Sequence, residues 1–231
     1  MELSAAEIRV LGSLVEKQLT TPQQYPLTLN ALTLACSQSS NRDPVVAYDE
    51  PTVEGAVTSI KTKGLARFVH PSHGRSALRY AHSLDDALGL APPQLALVAV
   101  LMLRGPQTLG ELRTRTERMV RFSDLREVQA ELDALAERTE PLTRRLPRGP
   151  GQKEDRYGQL LGGPPPPTWR GPDPDRPPAP AAQAPAPALD VESGAVDFGE
   201  VAALRAELVE LRAEVAALRR ALDDLREQLG A

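Results

Sequence analysis

Cysteine, aromatic side chains and long apolar runs are scarce in this 231-residue sequence, and each shortage excludes something. A single cysteine, Cys36, rules out an internal disulfide and any metal site built from several thiolates. No window approaches eighteen consecutive apolar residues, so no membrane span is expected; the longest run, Leu95 to Leu103 ("LALVAVLML"), reads as a buried helix. The start, "MELSAAEIRV", has neither a basic region nor an apolar core, so a cytoplasmic rather than secreted chain is expected. Strong charge of one sign is missing as well. The formal net charge is −4, and no segment is basic enough for charge alone to imply nucleic acid.

What is present divides the chain. Hydrophobic residues reach 41%, enough for a core, yet aromatics are 3% and prolines number 22. Half of those prolines fall between Gly162 and Pro187. Such a segment cannot bury enough apolar area to offset its ordering entropy, and is expected to be an extended, disordered linker over 163–198.

Before the linker one pattern occurs twice. In the first copy, Ser4 and Glu7 form a capping box that opens a helix with Ile8, Leu11, Val15 and Leu19 on one face. "LTLNALTLAC" predicts a second helix. Pro51-Thr52 announces a third, which carries Val53, Val57 and Ile60 and stops at Gly64. "LARFVH" and "ALRYAH" then bracket a tip, as two short strands do. In the second copy the apolar helix starts near Pro93, and Thr108 with Glu111 makes another capping box. Leu109, Leu112, Thr116 and Met119 are expected inward. Ser123 is expected to cap a third helix with Leu125, Val128, Leu132 and Leu135 inward, before strands "PLTRRL" and "RYGQLL". Helix, helix, helix and hairpin is the element order of a winged helix. The expected class is therefore mainly α, with α+β modules at 1–85 and 86–162, each within reach of a small core of its own.

Three stretches, "TTPQQYPLTLNALTLACSQSSNRDPV", "LMLRGPQTLGELRTRTERM" and "LPRGPGQKEDRYGQLL", resemble the signature segments of the bacterial YceH family, over roughly residues 3–162. The resemblance implies two winged-helix domains in tandem. It implies no function, because that family is uncharacterised. It marks Asn30, Asn41, Arg42, Asp43, Arg104, Gln107 and Glu111 as characteristic positions and brings no catalytic role to them.

The C-terminal segment, 199–230, lies outside that resemblance and has its own logic. Val201, Leu204, Leu208, Leu211, Val215, Leu218, Leu222, Leu225 and Leu229 alternate spacings of three and four, as a coiled coil requires. Glutamates 200, 207 and 214 precede arginines 205, 212 and 219 by five residues. A parallel pair of helices sets these opposite charges face to face, whereas an antiparallel pair opposes like charges. The expected partner is a second copy of the chain, in a parallel homodimer; no buried asparagine enforces two strands over three.

The front end is expected to bind rather than catalyse, with no cofactor and no metal. His70, His73 and His82 lie near the first hairpin without an acidic partner motif, and a surface histidine on a wing is the simplest reading. Cys36 reads as a small core residue. For duplex DNA, the candidate phosphate contacts are Arg113, Arg115 and Arg118 with Arg144, Arg145, Arg148 and Lys153 of the second hairpin. Against DNA, the third helices carry carboxylates: Glu54 in one copy, and Asp124, Glu127, Glu131, Asp133 and Glu137 in the other. Solvated faces and pairing with Glu111 and Glu117 are the plainer reading of the arginines around Arg115. The alternative function is a protein-interaction scaffold. The loop holding Asn41, Arg42 and Asp43 is either a rigid polar turn or an anion contact.

Overall fold

The computed structural model describes residues 2–70, 77–148 and 152–163. The linker beyond Gly163, the coiled-coil segment and both hairpin tips, 71–76 and 149–151, lie outside the described residues. The described chain mixes α and β, with helices predominating over two small antiparallel sheets.

Helix α1 (Ala5–Thr20) begins where Ser4 accepts from the Glu7 amide and the Glu7 carboxylate accepts from Ser4 N at 2.7 Å. The short strand β1 (Leu27–Thr28) leads into α2 (Leu29–Cys36), capped by the Thr28 hydroxyl. Helix α3 (Glu50–Thr62) is capped by Asp49 and ends before Gly64, which stands at φ 77°, a conformation costly for any residue with a Cβ. Strands β2 (Ala66–Val69) and β3 (Arg79–His82) follow, and the sheet order is β1–β3–β2. A one-turn helix, α4 (Leu84–Leu88), absent from the sequence reading, links to the second copy. There α5 (Pro92–Arg104), α6 (Leu109–Thr116), α7 (Leu125–Ala136), β4 (Thr143–Leu146) and β5 (Arg156–Gln159) run in the expected order. Gln107 exchanges backbone bonds with Tyr157 at 3.0 and 2.8 Å, so the residue before the α6 cap occupies the place that β1 fills in the first copy.

Two expectations for α7 are corrected. Its cap is Asp124, whose carboxylate accepts from Arg126 N at 2.8 Å and Glu127 N at 2.9 Å, while Ser123 turns back to Glu127. Two carboxylate bonds to the first free amides outweigh what one hydroxyl can supply there. Leu125, the first residue of the helix, is 44% exposed instead of buried. Val128, Leu132 and Leu135 are buried as expected.

The two copies do not keep separate cores. All nine residues from Leu95 to Leu103 are buried. Leu95, Val98, Ala99 and Met102 of α5 join the core that includes α1 and α3, while Leu97, Val100 and Leu101 join the one built with α6 and α7. A helix that is apolar all round needs neighbours on every side, and α1 supplies one of them. Gly12 makes that crossing close: a Cβ built there would lie 3.0 Å from Leu103 Cγ and 3.1 Å from Met102 Cβ. Leu135, Leu142 and Leu161 of the second copy also reach the first core, and Leu3 N donates to Leu161 O at 2.7 Å. No helix among the described residues is long and apolar enough to cross a membrane.

Candidate functional site

The arginines and lysines separate into those the fold employs and those it leaves over. In the first copy every described one is engaged. Arg9 is buried and donates to Cys36 O at 3.0 Å and Pro44 O at 2.6 Å. Lys61 stands 4.4 Å above the Phe68 ring, and Lys63 pairs with Glu7 at 2.6 Å. Burial alone would push the Glu7 carboxyl up, but its bonds with Lys63, Ser59 and Ser4 outweigh that and hold it below the usual range. Arg67 and Arg79 donate to the carbonyls of His82 and Pro26, and Lys17 lies 4.0 Å from Glu16.

Arg42 settles into the protein rather than facing solvent. Its side chain has no exposure, and its guanidinium donates to both Glu16 carboxylate oxygens, at 3.1 and 2.6 Å, and to Ala35 O and Asn41 O. Asn41, with φ 61°, accepts from Arg104 through its side-chain oxygen. Asp43 precedes a cis proline, and its amide donates to Leu103 O at 2.9 Å. The loop is therefore fastened to α1, α2 and the end of α5 at once. Arg9, which the sequence analysis does not single out, holds the other side of the same loop. The only hint was its position on the apolar side of α1, beside Val10 and Leu11.

In the second copy the candidate residues are not brought into one patch. Arg113 folds back to Phe122 O and to Ser123 O at 3.1 Å, tying α6 to the turn before α7. Arg156 reaches across the sheet edge to Glu111 at 2.8 Å. Glu111 therefore pairs with β5, and the expected pairing of the α6 arginines with Glu111 and Glu117 does not form among the described residues: the Glu111 carboxylate, accepting from Thr108 N, faces the strand. Arg145 and Arg148 share Asp155, which their bonds hold below the usual carboxylate range; both guanidiniums remain mostly exposed, at 65% and 59%. Arg144 and Lys153 are exposed on the same hairpin. Among the described residues, no ion pair or side-chain hydrogen bond engages Arg115, Arg118, Arg121 or Arg144.

A cleft of about 640 Å³ opens where the end of α1, residues 38–41, the end of α5 and α6 meet. Lys17, Arg104, Arg115 and Arg118 line it, together with Ser39 and Ser40. Burial lowers the Arg104 pKa, and the neighbouring Arg115 cation adds to that effect. Arg113 lines a different cleft with Arg121 and Phe122, consistent with its place on another side of α6 from Arg115.

The remaining chemistry-bearing side chains are interior. Cys36 is fully buried, and burial pushes its thiol up to about 11, so little thiolate exists near neutral pH. His82 is not a surface histidine. It lies in β3 at 2% exposure, and burial lowers its pKa to about 4, against the opposing pull of Asp85. Its Nδ1 accepts from Leu84 N at 3.2 Å, so the ring is neutral and the 3.5 Å approach to Asp85 is not an ion pair near neutral pH. No group of three side chains suited to a metal is assembled among the described residues.

The described residues thus combine helices and two small sheets with a pinned polar loop. The chain belongs to the DUF480 family, described as proteins of unknown function, whose model matches residues 3–152. It is similar to a UPF0502 protein of Geobacter metallireducens, 56% identical over 163 residues that make up 71% of this chain and 74% of the relative. A UPF0502 protein of Geobacter sulfurreducens is 53% identical over the same shares. One from Mesorhizobium japonicum is 48% identical over 162 residues, 70% of this chain and 76% of the relative. None of these names carries a function or the name YceH, and the similarity stands at the level of a bacterial family of uncharacterised proteins.

Proposed function

We propose that residues 1–162 are two winged helices in tandem, and that this non-enzymatic head associates with duplex DNA through phosphate contacts made by its second hairpin. The repeated element order supports the first part, as does the Gln107–Tyr157 bridge that mirrors β1. The observation that carries the second is the asymmetry of the cations. Apart from Lys17, the first copy's described lysines and arginines contact its own groups, whereas the β4–β5 hairpin presents Arg144, Arg145, Arg148 and Lys153 outward. Asp155 neutralises one charge of that group and orients two guanidiniums without burying them. Contacts of this kind give affinity that is salt-dependent and nearly blind to sequence. The acidic outer face of α7, from Asp124 to Glu137, keeps base reading by that helix out of the account. The heptads would pair two chains in parallel and so present two heads to one duplex, raising the effective concentration of the second for the same DNA. Cytoplasmic residence follows from this reading.

Anisotropy of a labelled short duplex at two salt concentrations tests it. Binding is expected at low salt and is expected to fall steeply as salt rises. Changing Arg144, Arg148 and Lys153 to Glu is expected to abolish it, since each lost phosphate contact flattens the log–log salt slope by about 0.9. If the wild type does not bind at low salt, the reading fails. The protein-interaction scaffold would then stand, favoured by the exposed Leu34, at 67%, and by Leu125 set among the carboxylates of α7.

A further inference from the structure

The cleft between the two copies has a charge balance that the fold does not explain. Lys17, Arg104 and Arg115 line it from three different helices, and Arg118 from the turn after α6. Its one lining carboxylate, Glu16, has both oxygens bonded by Arg42 at 3.1 and 2.6 Å and lies 4.0 Å from Lys17. Helix C-termini favour nearby cations, which accounts for the tolerance of Lys17, Arg104 and Arg115 in the last turns of α1, α5 and α6. It does not account for their convergence. Each helix end contributes roughly half a negative charge, so three ends offset less than half of four full cations, and the cleft stays positive. Crowding like charges in a partly desolvated space is unfavourable unless an anion enters. Burial lowers the Arg104 pKa and Arg115 adds to that, against the opposing pull of Glu16 and Asp43.

Neutral donors complete the lining. Ser39 and Ser40 stand on the loop that Arg9, Arg42 and Arg104 pin in place. Because α5 is buried along its whole apolar length, the walls contributed by the two copies are held at a fixed spacing. A volume of about 640 Å³ is that of a small-molecule site, too small to admit a duplex but open enough to take a phosphate presented at its mouth.

We propose that this cleft binds the phosphate group of an anionic ligand, with Arg115 and Arg118 as the adaptable contacts and Arg104, oriented by Asn41, as the fixed one. Charge-assisted bonds from guanidinium to phosphate are the strong ones, and hydroxyls of the serine pair fill the positions between them. The site is separate from the hairpin of the DNA reading and does not depend on it.

Pyrophosphate is the probe, titrated calorimetrically into the full-length chain at low salt. Binding is expected in the wild type, about tenfold weaker or more in the Arg115→Gln, Arg118→Gln double variant, and unchanged in an Arg144→Gln, Lys153→Gln hairpin variant. Arg115 and Arg118 make no described contact that holds the fold, and circular dichroism of the double variant checks this. A competition arm separates the two sources of phosphate. Displacement of a labelled duplex by pyrophosphate, with duplex binding lost in the cleft variant, assigns the site to a nucleic-acid backbone phosphate. Pyrophosphate bound without displacing the duplex assigns it to a free small anion. The proposal is overturned if millimolar pyrophosphate does not bind the wild type at low salt, or if the cleft variant binds it equally well.

Discussion

Replacing Gly12 with leucine should destabilise the whole head by about 3 kcal/mol, near the upper end for forcing volume into a packed interior. The cost arises at one crossing. A Cβ at this position already sits 3.0 Å from Leu103 Cγ and 3.1 Å from Met102 Cβ, so α1 and α5 must separate to admit anything larger. Gly12→Ala is expected to be nearly neutral, since relief of the helix penalty of glycine, about 1 kcal/mol, offsets the cramped methyl. Urea unfolding followed by circular dichroism measures both. The Leu103→Ala change in the Gly12→Leu background should recover part of the loss, because the two side chains compete for one space. Recovery without such an acceptor, or no loss at all, would mean that the crossing is looser than described.

Arg42→Ala is the second large effect, again about 3 kcal/mol, the lower end for breaking a buried ion pair. The side chain has no exposure, and its removal leaves Glu16 and the carbonyls of Ala35 and Asn41 without their donor. Glu16 keeps 15% exposure and can recover some hydration, which is why the lower figure applies. Lysine is a poor substitute, since one ammonium cannot serve a carboxylate and a carbonyl through a fixed fork. The same urea experiment decides between the two readings of this loop. A large loss of stability places Arg42 in the scaffold. An unchanged midpoint with weakened pyrophosphate binding would make it a ligand contact instead.

What the sequence disclosed tracks how local the cause is. The capping boxes at Ser4–Glu7 and Thr108–Glu111 were legible because cap and partner are three residues apart. The buried character of Leu95–Leu103 followed from composition alone, but nothing in a uniformly apolar run says which residue faces which neighbour, so the merging of the two cores was not. Helix α4 escaped because five residues with two aspartates show no period. The α7 cap was missed by one residue, as Ser123 and Asp124 are both good caps and only the geometry chooses. The basic cleft was invisible for a stronger reason: its lining runs from Glu16 to Met119, and Lys17, Arg104 and Arg115 become neighbours only through the α1–α5 crossing. The pairing of Arg156 with Glu111, 45 residues apart in the chain, becomes visible only in the fold.

The proposed cleft rests on the two copies forming one body around α5, and native-state hydrogen exchange tests this most directly. Amides of Val98 to Leu103 should exchange only through global unfolding, with the same free energy as those of Val10 to Val15 in α1 and of Val128 to Leu135 in α7. If α7 and the β4–β5 hairpin open at a lower free energy while α1 and α3 stay protected, the copies are separate units and the fixed cleft between them does not exist.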